Sequence, residues 1–313
     1  MSLSLTMTMP IHKPVLLNEV VEALWPQPGE RYVDCTLGNG GHAAAILTKI
    51  LPGGQFLGID ADPKAIEIAK DRLADYIEET ILVNDNFLNL ETICRENKFL
   101  PVQGILFDLG LSSTQLDVSE RGFSFQQYGP LDMRFDPTQQ FTAADVVNTF
   151  SEERLSEIIK TYGEERYSKR IAWHIVKSRP INNTLQLVDV IEKAVGGYRS
   201  KIHAATRTFM ALRIFVNHEL ENLSAALKQT VNCLDHGGRL VVISYHSLED
   251  RIVKQYMLTE SKGCLCPPTI PVCQCGHVAS LKIIARKVIT PSLAETKSNP
   301  RSRSAKLRVA ERL

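Results

Sequence analysis

The stretch YVDCTLGNGGHAAAIL, residues 32–47, decides the fold class of this chain. It passes from an apolar, strand-like segment through a glycine cluster into a helix-like run of alanines and aliphatic residues. Gly38, Gly40 and Ala43 fit the G-x-G-x-x-A spacing, which lets a backbone turn approach a nucleotide closely. The turn therefore holds a dinucleotide, holds the nucleoside of a smaller cofactor, or serves only as a tight bend.

The chain around this stretch alternates apolar segments with helical patterns, which is typical of a doubly wound parallel sheet. Strands are predicted at 31–36, 53–60, 80–85 and 102–110, and helices at 42–51, 62–76 and 88–97. After residue 110 only helical patterns follow, up to a long helix at about 204–228 and one further strand at 237–247. We therefore predict an α/β, Rossmann-like domain formed by residues 1–110 and 217–313, with a helical insertion at residues 111–216.

Composition indicates a globular protein, with 313 residues of which 44% are hydrophobic and 23% charged. We find no signal-peptide pattern and no run of the roughly 18 apolar residues that a membrane span needs, so we expect a cytoplasmic protein without membrane attachment. The net charge is only +1, yet residues 160–213 hold 11 basic against 4 acidic residues, and residues 281–313 hold 9 against 2. These two basic zones indicate either a polyanionic partner or ordinary solvated faces.

Acidic residues lie at or near the ends of three of the predicted strands. Asp60 ends the second strand, 20 residues after Gly40, where a carboxylate can accept hydrogen bonds from ribose hydroxyls. Asp34 immediately precedes the glycine turn, where it suits the ammonium group of a methionine moiety and would repel a pyrophosphate. Asp108 ends the fourth strand, where it either faces the cofactor and an acceptor or caps a turn. These positions favour S-adenosylmethionine over a dinucleotide.

Six segments together resemble the RsmH (MraW) family of bacterial 16S rRNA cytosine-N4 methyltransferases. They are VDCTLGNGGH from residue 33, DLGLSSTQLD from 108, RGFSFQQYGPLDMR from 121, ALRIFVNHELENL from 211, ISYHSLEDRIVK from 243 and NPRSRSAKLRVAER from 299. The resemblance covers about residues 12–312. It implies an S-adenosylmethionine-dependent methyltransferase sheet whose inserted helical domain recognises RNA. The substrate that it implies is the N4 amine of a decoding-centre cytosine in 16S rRNA of the small ribosomal subunit.

The resemblance also implies the cofactor contacts. Backbone N–H groups of the turn would meet the carboxylate end of the cofactor, Asp60 would hold the ribose, and Phe87 would face the adenine. Thr36 departs from the broader methyltransferase pattern, which has glycine at that position. The full set of implied contacts is Gly40, Gly41, His42, Asp60, Phe87, Asp108 and Gln115.

The catalytic residues are less determined, because DLGLSS lacks the prolines and the aromatic residue that DNA amino-methyltransferases carry after this strand. We hypothesise that Asp108 and the backbone carbonyls at 109–111 accept the N4 hydrogens, and that Asp132 and Arg134 help to close the pocket. Residues 245–247, Tyr-His-Ser, are either further catalytic candidates or a helix start. Basic residues expected to contact RNA phosphates are Lys169, Arg170, Lys177, Arg179, Arg199, Lys201, Arg207, Arg301, Arg303, Lys306 and Arg308.

Four of the seven cysteines form a C-x-C-x6-C-x-C pattern, made of Cys264, Cys266, Cys273 and Cys275. They bind a structural zinc ion, with His277 as an alternative ligand, or stay reduced in a surface hairpin, or carry redox chemistry. Cys35, Cys94 and Cys233 are expected to be buried thiols.

From the residues alone, two other functions stay open: an NAD(P)-dependent oxidoreductase and a non-catalytic, RNA-binding ribosome-assembly factor. Monomer and homodimer are equally compatible with the sequence.

Overall fold

The computed structural model describes residues 14–112, 115–116, 118–196, 203–267, 269 and 272–313. These residues form two compact units. The first comprises the described residues of Met1–Asp60, Lys64–Gly110 and Ala226–Leu313, and the second those of Ala61–Pro63 and Leu111–Ala225. No helix among the described residues is both long and apolar enough to cross a bilayer.

The first unit is built on a seven-stranded sheet in the order β3-β2-β1-β4-β5-β7-β6. The strands are β1 (Arg31–Asp34), β2 (Gln55–Asp60), β3 (Thr80–Asn84), β4 (Val102–Asp108), β5 (Leu234–Ser244), β6 (Leu281–Ile283) and β7 (Lys306–Arg312). The first five strands pair in parallel, whereas β7 is antiparallel to both of its neighbours. The predicted α/β fold class with a Rossmann-like sheet is therefore confirmed.

The described residues also form twelve α-helices. They are α1 (Leu17–Leu24), α2 (Gly41–Ile50), α3 (Pro63–Arg72), α4 (Leu90–Glu96), α5 (Ala143–Thr149), α6 (Glu152–Gly163), α7 (Ser168–Lys177), α8 (Thr184–Val195), α9 (Ala205–Asn217), α10 (Glu219–Cys233), α11 (Ser247–Glu260) and α12 (Leu293–Ser298). Short 3-10 helices lie at Ala74–Glu79, Phe87–Asn89, Ser119–Arg121 and Pro300–Ser304.

The single long helix predicted at about 204–228 is wrong, because the structure has two helices there, α9 and α10. His218 separates them in the left-handed conformation, with φ of 50°. The second unit also continues beyond residue 216, where we expected the insertion to end. The start of α10 is held in the second unit by Glu219, which pairs with Arg213 at 2.7 Å, and by Glu221, which accepts a hydrogen bond from Tyr162 at 2.9 Å.

The C-terminal tail contains a strand that the sequence analysis did not predict. In β7, Leu307 and Val309 are buried in the sheet, while Lys306 and Arg308 alternate with them. Both basic side chains pair with Asp250 in α11, at 3.2 and 2.7 Å. These two residues of the basic tail therefore connect β7 to α11.

Each unit has its own apolar core. In the first unit, side chains such as Leu47, Leu106 and Val241 are fully buried around the sheet. In the second, Leu155 and Ile191 are fully buried in a cluster formed largely by α5 to α9. Burying one such side chain stabilises the folded state by roughly 1.5–3 kcal/mol. The buried cluster therefore stabilises the inserted helices as a packed unit.

Candidate active site

The carboxyl ends of the parallel strands bring the predicted acidic residues to one edge of the sheet. Asp34, Asp60 and Asp108 end β1, β2 and β4, and Tyr245 directly follows β5. Because β2, β1, β4 and β5 are parallel neighbours, these four side chains belong to the edge where ligands of such sheets bind.

The glycine turn fits closely between β1 and α2. Gly38 and Gly40 have φ of 51° and 71°, a left-handed conformation that favours glycine. The amide of Gly38 donates a hydrogen bond to Oδ2 of Asp60 at 2.8 Å, which ties the turn to the end of β2. A Cβ on Gly41 would lie 2.4 Å from Cγ of Pro14, so this position also excludes side chains.

Thr36 connects the ends of two strands, a role that the sequence analysis missed. Its hydroxyl accepts a hydrogen bond from the amide of Asp108 at 2.6 Å, and it lies 3.3 Å from Oδ1 of Asp34, to which it donates. Glycine, the usual residue at this position, could not form these bonds. The sequence did carry a signal for this role, because Thr36 stands where the common methyltransferase pattern has glycine.

Asp34 is buried, with 1% of its surface exposed. Its hydrogen bonds come from the amide and hydroxyl of Thr36, at 3.0 and 3.3 Å, and both are to Oδ1. Burial raises the pKa of Asp34 to about 7, and the charge of Asp108 adds to this, while His42 and Thr36 act in the opposite direction. A nearby cation stabilises the ionised form of a carboxylate in such surroundings, so the position suits an ammonium group.

Asp108 lies between His42 and Tyr245. The Tyr245 hydroxyl donates to Oδ1 of Asp108 at 2.7 Å, and Nδ1 of His42 lies 3.6 Å from Oδ2. Nε2 of His42 donates to the carbonyl of Val15 at 3.0 Å, which leaves Nδ1 toward Asp108. Burial raises the pKa of Asp108 to about 7 against the effect of the Tyr245 hydrogen bond. Asp108 is therefore poised to exchange a proton near neutral pH.

The remaining candidates of residues 245–247 serve the start of a helix. His246 is the N-cap of α11 and forms a capping box with Glu249, and Ser247 is the first residue of that helix. Of these three residues, Tyr245 lies against an acidic residue of the site, Asp108.

Phe87 follows β3 and packs edge-on against Phe107 of β4, with ring centroids 5.7 Å apart. The residue is only partly buried. Gln115 lies in the second unit and is buried, and its amide donates to Oδ2 of Asp62 at 3.1 Å. Arg121 donates to the same carboxylate oxygen at 2.9 Å. The sequence analysis did not identify Asp62 as the partner of Gln115 and Arg121, because in the sequence it looks like any aspartate that precedes a helix.

Asp132 also lies in the second unit, paired with Arg134 through two side-chain hydrogen bonds of 2.9 and 2.6 Å. Burial acts to raise the pKa of Asp132, but the hydrogen bonds and charge of Arg134 outweigh it and hold that pKa below its ordinary value.

The two glycines of RGFSFQQYGPLDMR occupy positions where a side chain would clash with the backbone. A Cβ on Gly122 would lie 1.9 Å from the carbonyl oxygen of Pro130, and one on Gly129 would lie 2.0 Å from that of Ser119.

Comparison with known proteins decides the family, because the MraW methylase family matches residues 9–313. A relative from Dehalococcoides mccartyi, named Ribosomal RNA small subunit methyltransferase H, is 60% identical over 96% of this chain and 86% of its own. Relatives of the same name from Thermomicrobium roseum and Heliobacterium mobile are 51% and 49% identical, each over 96% of this chain, and over 94% and 99% of their own lengths.

The chain belongs to the MraW methylase family. The predicted resemblance and the prediction of a methyltransferase are thereby confirmed, and neither the oxidoreductase nor the non-catalytic assembly factor is supported. Among solved structures, a putative rRNA-methylase from Clostridium thermocellum aligns with 97% of this chain and 100% of its own, at 14% identity and a TM-score of 0.45. The fold assignment rests on the strand order described above.

The basic residues of this MraW-family chain have different surroundings. Lys169, Arg170 and Lys177 are exposed on α7, together with Trp173, which is 45% exposed. Arg179, by contrast, is partly buried and donates hydrogen bonds to the carbonyls of Val147, at 2.8 Å, and Phe150, so it serves the packing of its own unit.

The other predicted RNA contacts divide similarly. Arg207 lies 3.6 Å from Glu165, and Arg199 and Lys201 lie outside the described residues. Arg301 and Arg303 are exposed in the tail.

None of the seven cysteines, all of which lie among the described residues, forms a disulfide. Cys35, Cys94 and Cys233 are buried, as predicted, whereas Cys264, Cys273 and Cys275 are exposed and Cys266 is partly buried.

Proposed function

We propose that this protein transfers the methyl group of S-adenosylmethionine to the N4 amine of a decoding-centre cytosine in 16S rRNA of the small ribosomal subunit, in the cytoplasm. The observation that carries the proposal is the acidic strand edge of the first unit, where Asp34, Asp60 and Asp108 end neighbouring strands. The relatives named Ribosomal RNA small subunit methyltransferase H support the choice of RNA.

The residues of this edge fit S-adenosylmethionine. Asp34 offers a buried carboxylate to the ammonium group. Asp60 is fixed by the amide of Gly38, in the place where it can accept hydrogen bonds from ribose hydroxyls. The N-terminus of α2, which begins at Gly41, presents backbone N–H groups to the carboxylate end. Phe87 offers part of an apolar ring to the adenine.

When bound, S-adenosylmethionine would supply a sulfonium methyl carbon to an in-line nucleophile, and the S–CH3 bond would break to release S-adenosylhomocysteine. The cytosine amine is a poor nucleophile, because its lone pair is delocalised into the ring. The chain must therefore position the amine, and positioning can contribute roughly 7–11 kcal/mol in favourable cases. We assign this positioning to Asp108 and to the backbone carbonyls at 109–111, which accept the N4 hydrogens.

As the new N–C bond forms, the N4 proton becomes acidic and leaves to Asp108. A pKa of about 7 makes roughly half of the Asp108 side chains ionised at neutral pH, and the ionised form accepts the proton. Tyr245 stabilises that ionised form through its hydroxyl at 2.7 Å. Asp108 is therefore the catalytic residue, and Tyr245 is a positioning residue.

Asp132 has a different role in this proposal. Its two oxygens bind the Arg134 side chain, and its pKa is held low, so it is a weak proton acceptor. Its carbonyl also accepts a hydrogen bond from Ala143 at 2.9 Å, which fixes the loop to the start of α5. Asp132 and Arg134 thus hold the shape of the loop in the second unit.

The second unit contributes RNA recognition through the exposed face of α7. In this proposal the exposed side chains of Lys169, Arg170 and Lys177 contact phosphates, and a base stacks on the exposed side chain of Trp173. The target cytosine must leave its stack to reach a methyl donor, at a cost of a few kcal/mol. Contacts of this kind offset that cost.

The test is methyl transfer from labelled S-adenosylmethionine to small subunits isolated from a strain that lacks this modification. Digestion of the 16S rRNA to nucleosides should show the label in N4-methylcytidine. Label in another nucleoside would overturn the substrate assignment, and the absence of transfer to subunits and to free 16S rRNA would overturn the activity. An Asp71→Asn variant, changed at an exposed position of α3, is the matched control for acidic substitutions.

A further inference from the structure

Four cysteine sulfurs converge in the first unit, in the loop between Glu260 and Leu281. Sγ of Cys264 lies 3.4 Å from Sγ of Cys273 and 3.8 Å from Sγ of Cys275, and the last two sulfurs are 3.6 Å apart. With Cys266, all four sulfurs lie within 4.8 Å of one another.

These distances match a tetrahedral metal site. Four sulfurs at about 2.3 Å from a central zinc ion lie about 3.8 Å from one another. A disulfide, in contrast, needs a sulfur separation of about 2.05 Å. The convergence is therefore not that of oxidised cysteine pairs.

Backbone amides are directed at three of the sulfurs. The amide of Leu265 lies 3.3 Å from Sγ of Cys275, that of Cys266 lies 3.3 Å from Sγ of Cys264, and that of Gln274 lies 3.3 Å from Sγ of Cys266. Donors of this kind stabilise thiolates and orient them as ligands. Two of these three contacts, those of Leu265 and Gln274, cross between the two C-x-C segments, so each segment supports one sulfur of the other.

Apolar burial does not explain why these segments come together. Leu265, Val272 and Val278 are 44%, 70% and 77% exposed. The ends of the loop, however, are fixed, because the amide of Ser280 donates to the carbonyl of Glu260 at 2.8 Å. His277 is engaged there too, with Nε2 3.2 Å from the carbonyl of Thr259, and this favours cysteine over histidine as the fourth ligand.

We propose that Cys264, Cys266, Cys273 and Cys275 bind one Zn²⁺ ion as a tetrahedral tetrathiolate site that joins the two C-x-C segments. Four protein ligands leave no open position for substrate or water, so the site is structural. Binding releases the thiol protons of the four ligands to solvent and forms four Zn–S bonds, with no change in oxidation state. The proposal is independent of the proposed function.

The test measures metal content by elemental mass spectrometry. Reduced, chelator-treated protein is reloaded with Zn²⁺ alone and freed of excess metal. We expect one zinc ion per chain in the wild type and in the matched control Gln274→Ser, which changes an exposed residue between two of the ligands. Cys264→Ser and Cys275→Ser should each reduce retained zinc by at least about tenfold.

Cobalt loading of the wild-type protein keeps the test decisive if a cysteine variant fails to fold. Co²⁺ in place of Zn²⁺ should give the visible and near-ultraviolet absorption of a tetrahedral tetrathiolate, and added Zn²⁺ should abolish it. Zinc should also protect four thiols from a thiol reagent in the native protein. Failure of the folded wild type to retain zinc, retention by both cysteine variants, or isolation of the untreated protein with iron in place of zinc would each overturn the proposal.

Discussion

Replacing Asp34 by asparagine should stabilise the ligand-free protein while it weakens cofactor binding. The pKa of Asp34 is raised from 3.8 to about 7 by burial, so the folded state holds a proton that the unfolded chain has released. Between these two pKa values the unfolded state binds fewer protons, and stability falls as pH rises, by about 1.4 kcal/mol per pH unit. Asparagine is neutral at every pH and removes this loss.

The magnitude follows from the two pKa values. Asp34→Asn should raise the free energy of unfolding by about 1 kcal/mol at pH 4.5 and by about 4 kcal/mol at pH 8, where the full difference of roughly three pKa units applies. Urea unfolding without cofactor, at both pH values, measures these differences. Binding of S-adenosylmethionine, measured by calorimetry at pH 8, should weaken, because asparagine offers no charge to the ammonium group.

The control is Asp71→Asn, in which an exposed aspartate of α3 is changed. It should alter neither the unfolding free energy nor the affinity. If Asp34→Asn raised the free energy of unfolding by the same amount at both pH values, the increase would arise from packing and not from titration, and the prediction would be wrong. A loss of stability at pH 8 would refute it as well.

Three further predictions concern turnover, backbone geometry and RNA contact. Asp108→Asn should lower turnover at saturating cofactor by about a hundredfold or more. The Tyr245 hydrogen bond holds the pKa of Asp108 down, so Tyr245→Phe should raise that pKa and shift the acidic limb of the rate profile to higher pH. An unchanged profile would contradict the assignment. Gly237→Ala should lower the free energy of unfolding, measured in urea, by about 1–2 kcal/mol, because Gly237 has a positive φ but open space around it. Gly122→Ala should lower it by more, because Gly122 has a positive φ and a Cβ there would also clash. Equal losses would refute this steric explanation. Trp173→Ala should weaken binding of 16S rRNA fragments by about 1–3 kcal/mol in a titration at fixed salt, and unchanged affinity would exclude base stacking there.

Much of the sheet could be predicted because the first third of the chain follows simple periodicity. Residues 31–108 alternate apolar strands with helices, and the four observed strands in this part lie within the predicted ones. The break at His218 could not be predicted, since neither glycine nor proline marks it. The strand β7 could have been found, because Leu307 and Val309 alternate with charged residues, but its high charge favoured interpretation as a basic tail.

The acidic strand edge was predictable for the same reason, since strand ends in a parallel sheet share one edge. The contacts that set its chemistry were not, because they join residues far apart in sequence. Thr36 meets the amide of Asp108, and Tyr245 meets its side chain, only after β1, β4 and β5 pair. The raised pKa values of Asp34 and Asp108 likewise arise from burial in the folded protein.

Methylation of 16S rRNA through Asp108 is tested by nucleoside analysis of 16S rRNA from a bacterial strain that lacks the corresponding methyl group and expresses this chain. The wild-type chain should restore N4-methylcytidine at one position, and Asp71→Asn should restore it equally. Asp108→Asn at equal protein level should restore it about a hundredfold more slowly or not at all. Restoration of N4-methylcytidine by Asp108→Asn to the wild-type extent and rate, or no N4-methylcytidine with the wild-type chain, would contradict the account.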